Sequence, residues 1–134
     1  MGTYISQSDV ESFWGSKSVA QWLDMDRDGN ADSGRMTTAI AYAEGYVEDR
    51  MRRGRWEVPL SFAGNSLTVL KTVCAIHAGH WLYMARQSMD EAESDRMARQ
   101  VAWANNVIDG WVSGRITPDA ASAVDDPRAP TVVY

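Results

Sequence analysis

Acidic residues alternate along residues 24–32, which carry the clearest candidate chemistry in the chain. Asp24, Asp26 and Asp28 are spaced two apart, and Gly29 follows them. Carboxylates at this spacing in a tight turn converge on one point, where a hard cation such as Ca²⁺ takes about six to eight oxygen ligands. Glycine permits the sharp bend that such a turn needs. The pattern predicts a calcium loop, with the metal ligands Asp24, Asp26, Asp28, Asn30 and Asp32.

The loop departs from the EF-hand pattern at its twelfth position. Arg35 stands there in place of the bidentate glutamate, which removes two oxygens and adds a positive charge. Two interpretations stay open. The loop binds a structural calcium ion, or it is a metal-free Asx-turn cluster whose acids cap the next helix. Neither interpretation requires a cofactor for function.

A second group of reactive side chains comprises Cys74, His77 and His80. Residues three apart share one face of a helix, but residues six apart do not, so His80 diverges from Cys74. A single converging pair provides too few ligands for structural zinc and suggests only a weak candidate nucleophile. We expect Cys74 and His77 to be core residues. The sequence also contains no glycine-rich phosphate loop and no nucleophile elbow, and we expect no enzymatic activity.

The composition limits the remaining classes of function. The chain has 134 residues, 45% of them hydrophobic, and a net charge of -5. This length is enough for one domain with a substantial core. An acidic protein lacks the basic face that phosphate-backbone binding requires. One cysteine excludes an intrachain disulfide, and no apolar run has the roughly 20 residues of a membrane-spanning helix.

The helices that must position these residues follow from hydrophobic spacing and from capping signals. Ser6 and Asp9 predict a short helix that ends at Gly15, and residues 18–23 predict a second short turn. A longer helix, capped by Asp32 or Ser33, carries an apolar stripe from Met36 to Met51 and ends at Gly54. Two further helices are expected. One is capped by Asn65 or Ser66 and carries Leu67, Leu70, Cys74, His77 and Trp81. The other begins at the Ser88–Glu91 capping box, carries Met97, Val101, Ala104, Ile108 and Trp111, ends at Gly114 and is expected to be the longest.

These elements predict an all-α fold, a small bundle of about four to five helices with an extended C-terminal arm. We place the helical domain at residues 1–117 and the arm at residues 118–134. Residues 56–60 contain Pro59 and are expected to form an extended connector rather than a strand of a central sheet. The arm has no helical stripe and ends in the β-prone sequence TVVY.

Three features of the chain are candidate surfaces for a protein partner. Arginines crowd the end of the third helix, where they either complement the helix dipole or form a docking patch for an acidic partner. Trp103 lies off the stripe of the last helix, where it either faces a partner, since aromatic residues are favoured at interfaces, or belongs to an extended, two-sided core stripe. The arm could add a strand to the edge of another protein. The candidate interface residues are Arg50, Arg52, Arg53, Arg55, Trp56, Trp103, Thr131, Val132, Val133 and Tyr134.

The order of these features resembles the phage Mu gp36-like family. The similarity lies in Tyr4 and Ile5 before a short helix, DRDGN at residues 26–30, GRWEVPL at residues 54–60, two helices, and SGRI at residues 113–116. It covers roughly residues 3–117 and leaves the arm outside. The resemblance groups the chain with the head-tail connector, or adaptor, proteins of tailed bacteriophages.

The resemblance implies a structural protein of the virion neck at the portal vertex, synthesised in the host cytoplasm. Such a protein forms a ring with neighbouring copies of itself below the portal protein, extends the DNA channel and docks the next neck or tail protein. The acidic charge agrees with this, because an acidic surface repels phosphates and favours DNA passage over binding. The alternative from the aspartate loop is a calcium-binding helical interaction module.

Overall fold

The computed structural model describes residues 2–24, 29, 32, 34–54, 56–86 and 91–118. These residues form five α-helices: α1 (Gln7–Trp14), α2 (Ser16–Leu23), α3 (Arg35–Arg53), α4 (Gly64–Arg86) and α5 (Glu91–Ser113). The described part of the chain contains no β-strand. The predicted all-α bundle is confirmed, whereas the C-terminal arm lies outside the described residues apart from Pro118.

Helix α4 is the centre of the bundle, because it packs against α1, α2, α3 and α5. All seven residues from 73 to 79 are buried, as expected for a helix that is covered on every side. Of the predicted stripe, Leu70, Cys74 and His77 are buried, whereas Leu67 and Trp81 are partly buried. The stripe is only part of the buried surface of α4. Helices α4 and α5 have 23 residues each, so α5 is not longer than α4.

The predictions for the N-terminal half are confirmed in their main features. The Asp9 carboxylate accepts a hydrogen bond from the backbone N–H of Ser6, at 2.9 Å, and α1 ends before Gly15. In α2, Val19, Trp22 and Leu23 are buried. Gly54 ends α3, as expected. The predicted stripe of α3 is buried and consists of Met36, Ala39, Ile40, Ala43, Val47 and Met51.

Two predicted helix starts are wrong. Helix α3 begins after Gly34, which has a left-handed φ of 80° and provides no side-chain cap, so neither Asp32 nor Ser33 is its N-cap. Helix α4 begins at Gly64, so the predicted caps, Asn65 and Ser66, lie inside its first turn. At both places a glycine with positive φ turns the chain into the helix, and the neighbouring polar side chains are not needed for the turn.

The core is rich in aromatic contacts. Trp14, Trp22 and Tyr83 form an edge-to-face chain among α1, α2 and α4, with ring centroids 5.6 and 5.8 Å apart. Phe62 packs edge-to-face between Trp56 and Trp111. Four of the six tryptophans are buried by these contacts. No helix within the described ranges is both long and apolar enough to cross a membrane.

Candidate assembly surfaces

The aspartate loop connects α2 to α3, and the structure describes parts of it. The backbone N–H of Gly29 donates a 2.8 Å hydrogen bond to the Asp24 carboxylate. The N–H of Asp32 donates to the Leu23 carbonyl at 2.9 Å, so the chain returns to the end of α2. Gly29 has a φ of 91°, which agrees with its predicted role in the bend. The other candidate ligands, Asp26, Asp28 and Asn30, lie outside the described residues, and calcium binding stays a prediction.

Arg35, the twelfth residue of the loop pattern, packs against α4. Its guanidinium carbon lies 4.8 Å from the centre of the Trp81 ring, a cation–π contact. Within the described part of the chain, its Nε and Nη2 atoms are buried without a hydrogen-bond acceptor. A guanidinium carries no oxygen for a metal ion, so the loop lacks a ligand at this position.

The basic end of α3 divides into an internal part and an exposed part. Arg50 forms an ion pair with Asp109 of α5 and donates a 3.0 Å hydrogen bond to the Tyr46 hydroxyl. This residue therefore joins α3 to α5 within the subunit, and its role at an interface stays a prediction. Arg52 and Arg53 are exposed, and Arg53 forms a surface pair with Asp49 at 3.0 Å. Arg55 lies outside the described residues.

Asn105 completes a polar network among α3, α4 and α5. Its Oδ1 atom accepts a 3.2 Å hydrogen bond from the Tyr46 hydroxyl and lies 3.1 Å from His77 Nε2. The His77 ring also packs against Tyr46, with centroids 4.5 Å apart. Burial lowers the pKa of His77 to about 4, because burial disfavours the charged imidazolium. His77 is therefore a neutral, hydrogen-bonded core residue at pH 7.

Cys74 is fully buried on the inner face of α4. Burial raises the pKa of its thiol, and the carboxylates of Glu44 and Glu48 raise the pKa further. The thiol therefore stays protonated at neutral pH, whereas nucleophilic attack and metal ligation require the thiolate. The geometry makes Cys74 a small apolar core residue.

The two candidate interface tryptophans differ in their environments. Trp56 is buried against Phe62 and Trp111, and its Nε1–H donates to the Trp111 carbonyl at 3.4 Å. Its ring stabilises the connector after α3, and its role at an interface stays a prediction. Trp103 is 43% exposed, which leaves a large apolar surface on α5 available for contact.

Trp103 lines an apolar groove between the start of α4 and the end of α5, which we call the Trp103 groove. It has a volume of about 250 Å³. The groove is lined by Asn65, Ser66, Val69, Trp103, Val107, Trp111 and Ile116. Hydropathy spacing identified Trp103 but not the groove, because Val69 and Ile116 approach α5 only in the folded chain.

A second internal site, formed by Glu44, was not expected from the sequence. Its carboxylate is buried and accepts hydrogen bonds from the backbone N–H groups of Thr3, Tyr4 and Ile5, at 2.9, 2.7 and 3.0 Å. The sequence offers one indication of this role: Glu44 lies four residues after Ile40, on the buried face of the predicted helix. These contacts attach the N-terminal segment to α3.

The Tyr4 side chain extends this attachment to two further elements. Its hydroxyl donates a 2.6 Å hydrogen bond to the Glu48 carboxylate of α3 and accepts a 2.7 Å hydrogen bond from the Leu60 N–H. Tyr4 therefore joins the N-terminal segment, α3 and the connector.

The candidate arm residues Thr131, Val132, Val133 and Tyr134 lie outside the described residues. Their role in an interface stays a prediction.

Comparison with known proteins identifies the family. Residues 4–132 match the family described as Bacteriophage Mu, Gp36. The match extends beyond residue 117, so most of the C-terminal segment that the motif resemblance left outside belongs to the matched region. No curated protein matches the chain, and no solved structure matches it. The chain thus belongs to the Bacteriophage Mu Gp36 family and is a bacteriophage structural or morphogenesis protein.

Proposed function

We propose that this protein is a head-tail connector, or adaptor, that forms a ring below the portal at the neck of the virion. The observation that carries this proposal is the family match over residues 4–132, together with the motif order that resembles connector proteins. In this role the ring extends the DNA channel and docks the next neck or tail protein. Its partners are the portal protein, that downstream protein and neighbouring copies of itself.

The surface of the bundle supports a role in assembly. A ring built from head-to-tail contacts needs two different contact faces on each subunit. The Trp103 groove supplies one apolar face on α4 and α5. The exposed arginines Arg52 and Arg53 at the end of α3 supply a basic face of different chemistry. Residues 119–134, with Thr131, Val132, Val133 and Tyr134 at their end, would reach a neighbouring subunit or the portal in the assembled neck.

The charge of the chain supports DNA passage through the ring. The net charge is -5, and an acidic surface repels the phosphate backbone. DNA would pass through the channel without specific binding.

Co-assembly with the portal tests this proposal. The purified chain would be mixed with the portal protein of the same phage, and complexes would be measured by analytical ultracentrifugation. We expect the chain to co-sediment with the portal ring, and a variant lacking residues 125–134 to fold but to co-sediment less. Absence of co-sedimentation for the full chain would contradict the proposal.

A calcium-binding interaction module is the second candidate, and the aspartate loop favours it. The Gly29 N–H donates a 2.8 Å hydrogen bond to the Asp24 carboxylate, so the loop bends at the position that the calcium pattern requires. The calcium ion would be structural, with Asp24, Asp26, Asp28, Asn30 and Asp32 as ligands. Calorimetry with millimolar calcium tests this candidate, and absence of both binding heat and a change in melting temperature would exclude it.

A further inference from the structure

The Trp103 groove brings exposed apolar side chains together on one face of the bundle. Two of its lining residues, Trp103 and Ile116, are large hydrophobic side chains that are 43% and 38% exposed. Val69 and Val107 are half-buried beside them, and Trp111 is buried beneath. Exposed apolar side chains that line one groove make it a candidate docking surface for another apolar group.

The size of the groove fits side chains of a peptide better than a small-molecule ligand. Its volume of about 250 Å³ lies below the roughly 300–1,000 Å³ typical of small-molecule sites. The groove is also open and almost entirely apolar in its lining, whereas small-molecule sites have a few convergent polar groups that fix orientation. A short apolar segment of polypeptide is the occupant that these properties favour.

The chain leaves the described fold at the edge of this groove. Helix α5 ends at Ser113, and the Ile116 N–H donates a 3.0 Å hydrogen bond back to the Gly110 carbonyl. This turn holds the Ile116 side chain in the groove, and the described part of the chain ends two residues later at Pro118. Sixteen residues follow, and the last four are Thr131, Val132, Val133 and Tyr134.

We propose that Val132 and Tyr134 occupy the Trp103 groove of their own subunit before assembly. In an extended segment, side chains two apart point to the same side, so Val132 and Tyr134 would enter the groove together. The docked segment would cover Trp103 and Ile116, which are otherwise exposed. This docking does not depend on the connector role proposed above.

The length of the intervening segment allows this docking. Twelve residues, 119–130, separate Pro118 from Thr131, and a flexible chain of this length has a root-mean-square span of about 20 Å. The segment starts beside the groove and would return to it. The entropy cost of closing such a loop is small, because this cost grows only slowly with the number of residues.

The charges near the groove favour the same occupant. The intervening segment carries Asp119, Asp125 and Asp126 against one basic residue, Arg128. On the bundle, Arg99 precedes Trp103 by one helical turn, and Arg115 precedes Ile116. The arginines beside the groove and the aspartates of the segment that would lie over it therefore attract each other.

At low protein concentration, docking in the groove of the same subunit is favoured over docking in the groove of a second copy. A short flexible linker gives an effective concentration of roughly millimolar for the tethered segment. A second copy at micromolar concentration cannot compete with this value. In an assembled ring neighbouring subunits reach similar local concentrations, and the segment could then exchange between copies, as in domain swapping.

Paramagnetic relaxation measured by NMR tests the proposal on the full chain. A nitroxide would be attached to an Asn65→Cys variant, because Asn65 is exposed and lines the groove. The natural Cys74 is fully buried and would not react under native conditions. We expect strong loss of the amide signals of residues 131–134, unchanged when the sample is diluted by an order of magnitude.

Matched variants separate specific docking from proximity. The double variant Val132→Asp/Tyr134→Asp should restore the signals, whereas Ala121→Asp/Ser122→Asp, with the same added charge, should not. Trp103→Ala should also restore them, and Tyr42→Ala, which removes an aromatic ring of similar exposure (46%) on α3, should not. A nitroxide at Ser12→Cys, in the separate groove between α1 and α4, should weaken the signals less than the Asn65 nitroxide does.

Two results would overturn the proposal. Full signal intensity for residues 131–134 beside the Asn65 nitroxide would show that the groove is not their site. Signal loss only when the nitroxide is on a second, isotopically unlabelled copy would assign the groove to a neighbouring subunit instead. Neither result bears on co-sedimentation with the portal, so the two proposals fail independently.

Discussion

The Glu44 carboxylate accepts a 2.7 Å hydrogen bond from the backbone N–H of Tyr4, a residue 40 positions earlier in the chain. The same carboxylate accepts the N–H groups of Thr3 and Ile5, so one buried charge is satisfied by three backbone donors. The fit is close, because a Cβ atom on Gly2 would lie 2.4 Å from Glu44 Oε2. The N-terminal segment is therefore an integral part of the bundle and is held against α3.

Replacing Glu44 with alanine should destabilise the bundle strongly. The change removes the acceptor for three backbone N–H groups, and each charge-assisted hydrogen bond contributes roughly 1.5–3 kcal/mol. Because the three share one carboxylate, we expect a total loss of at least about 3 kcal/mol in the free energy of unfolding, measured by urea denaturation. Asp49→Asn, which disrupts only the surface pair with Arg53, should cost less than about 1 kcal/mol. Equal stability of the two variants would show that Glu44 does not anchor the N-terminal segment.

Gly79 allows α1 to approach α4. A Cβ atom at Gly79 would lie 2.1 Å from Trp14 Nε1, and this nitrogen donates a 3.0 Å hydrogen bond to the Ala75 carbonyl. Gly79→Ala should therefore displace Trp14 and cost about 1–3 kcal/mol in the free energy of unfolding. Gly45 lies in α3, where an added Cβ atom would meet no other atom within 4 Å, so Gly45→Ala should stabilise the protein by up to about 1 kcal/mol. Thermal unfolding of both variants checks the prediction, which fails if the two changes have the same sign.

His77 should make the stability of the bundle dependent on pH. Its pKa is lowered from 6.5 to about 4 in the folded chain, so the unfolded chain binds a proton at a higher pH than the folded chain does. Its contribution to stability is complete above pH 6.5 and is lost as the pH falls towards 4. From about pH 7 to about pH 5 the expected loss is roughly 2 kcal/mol.

Comparison with His77→Gln isolates this contribution, since the carboxylates titrate similarly in both proteins. Glutamine keeps a hydrogen-bonding group near Asn105 but does not titrate. The free energy of unfolding, measured by urea denaturation at about pH 7 and about pH 5, should fall less for the variant than for the natural chain. An equal fall in both proteins would show that His77 does not determine this part of the pH dependence.

The aspartate loop should act as a brace between α2 and α3. Asp26→Asn/Asp28→Asn removes two of the predicted carboxylate ligands, and we expect a lower melting temperature in millimolar calcium, with co-assembly retained. A chelator should reduce the difference between the variant and the natural chain, and Asp95→Asn on the exposed side of α5 serves as the control. Loss of assembly at an unchanged melting temperature would instead give the loop a direct role in function.

Periodic burial made most helices predictable from the sequence. The stripe from Met36 to Met51 identified α3 because its spacing matches one buried helical face. Gly15, Gly54 and Gly114 marked three helix ends correctly. The starts at Gly34 and Gly64 were missed, because polar residues near them suggested side-chain caps, while backbone turns at glycine replace such caps.

The contacts between distant elements were less predictable. The two interpretations of Arg50, a complement to the helix dipole or a docking residue, did not include its ion pair with Asp109, because that residue is 59 positions away and becomes adjacent only when α3 packs on α5. The packing of Trp56 against Phe62, and its hydrogen bond to the Trp111 carbonyl, were likewise not expected when Trp56 was included among the candidate interface residues. Local spacing contains no information about these pairings, which depend on how the helices pack.

Imaging of the assembled neck tests the central claim most directly. Cryo-electron microscopy of intact particles would be combined with a tag on this chain at an exposed position of α5, such as Asp95. The connector role predicts a ring of helical subunits directly below the portal, with tag density around that ring. Tag density elsewhere in the particle, or particles that contain no copy of the chain, would contradict it.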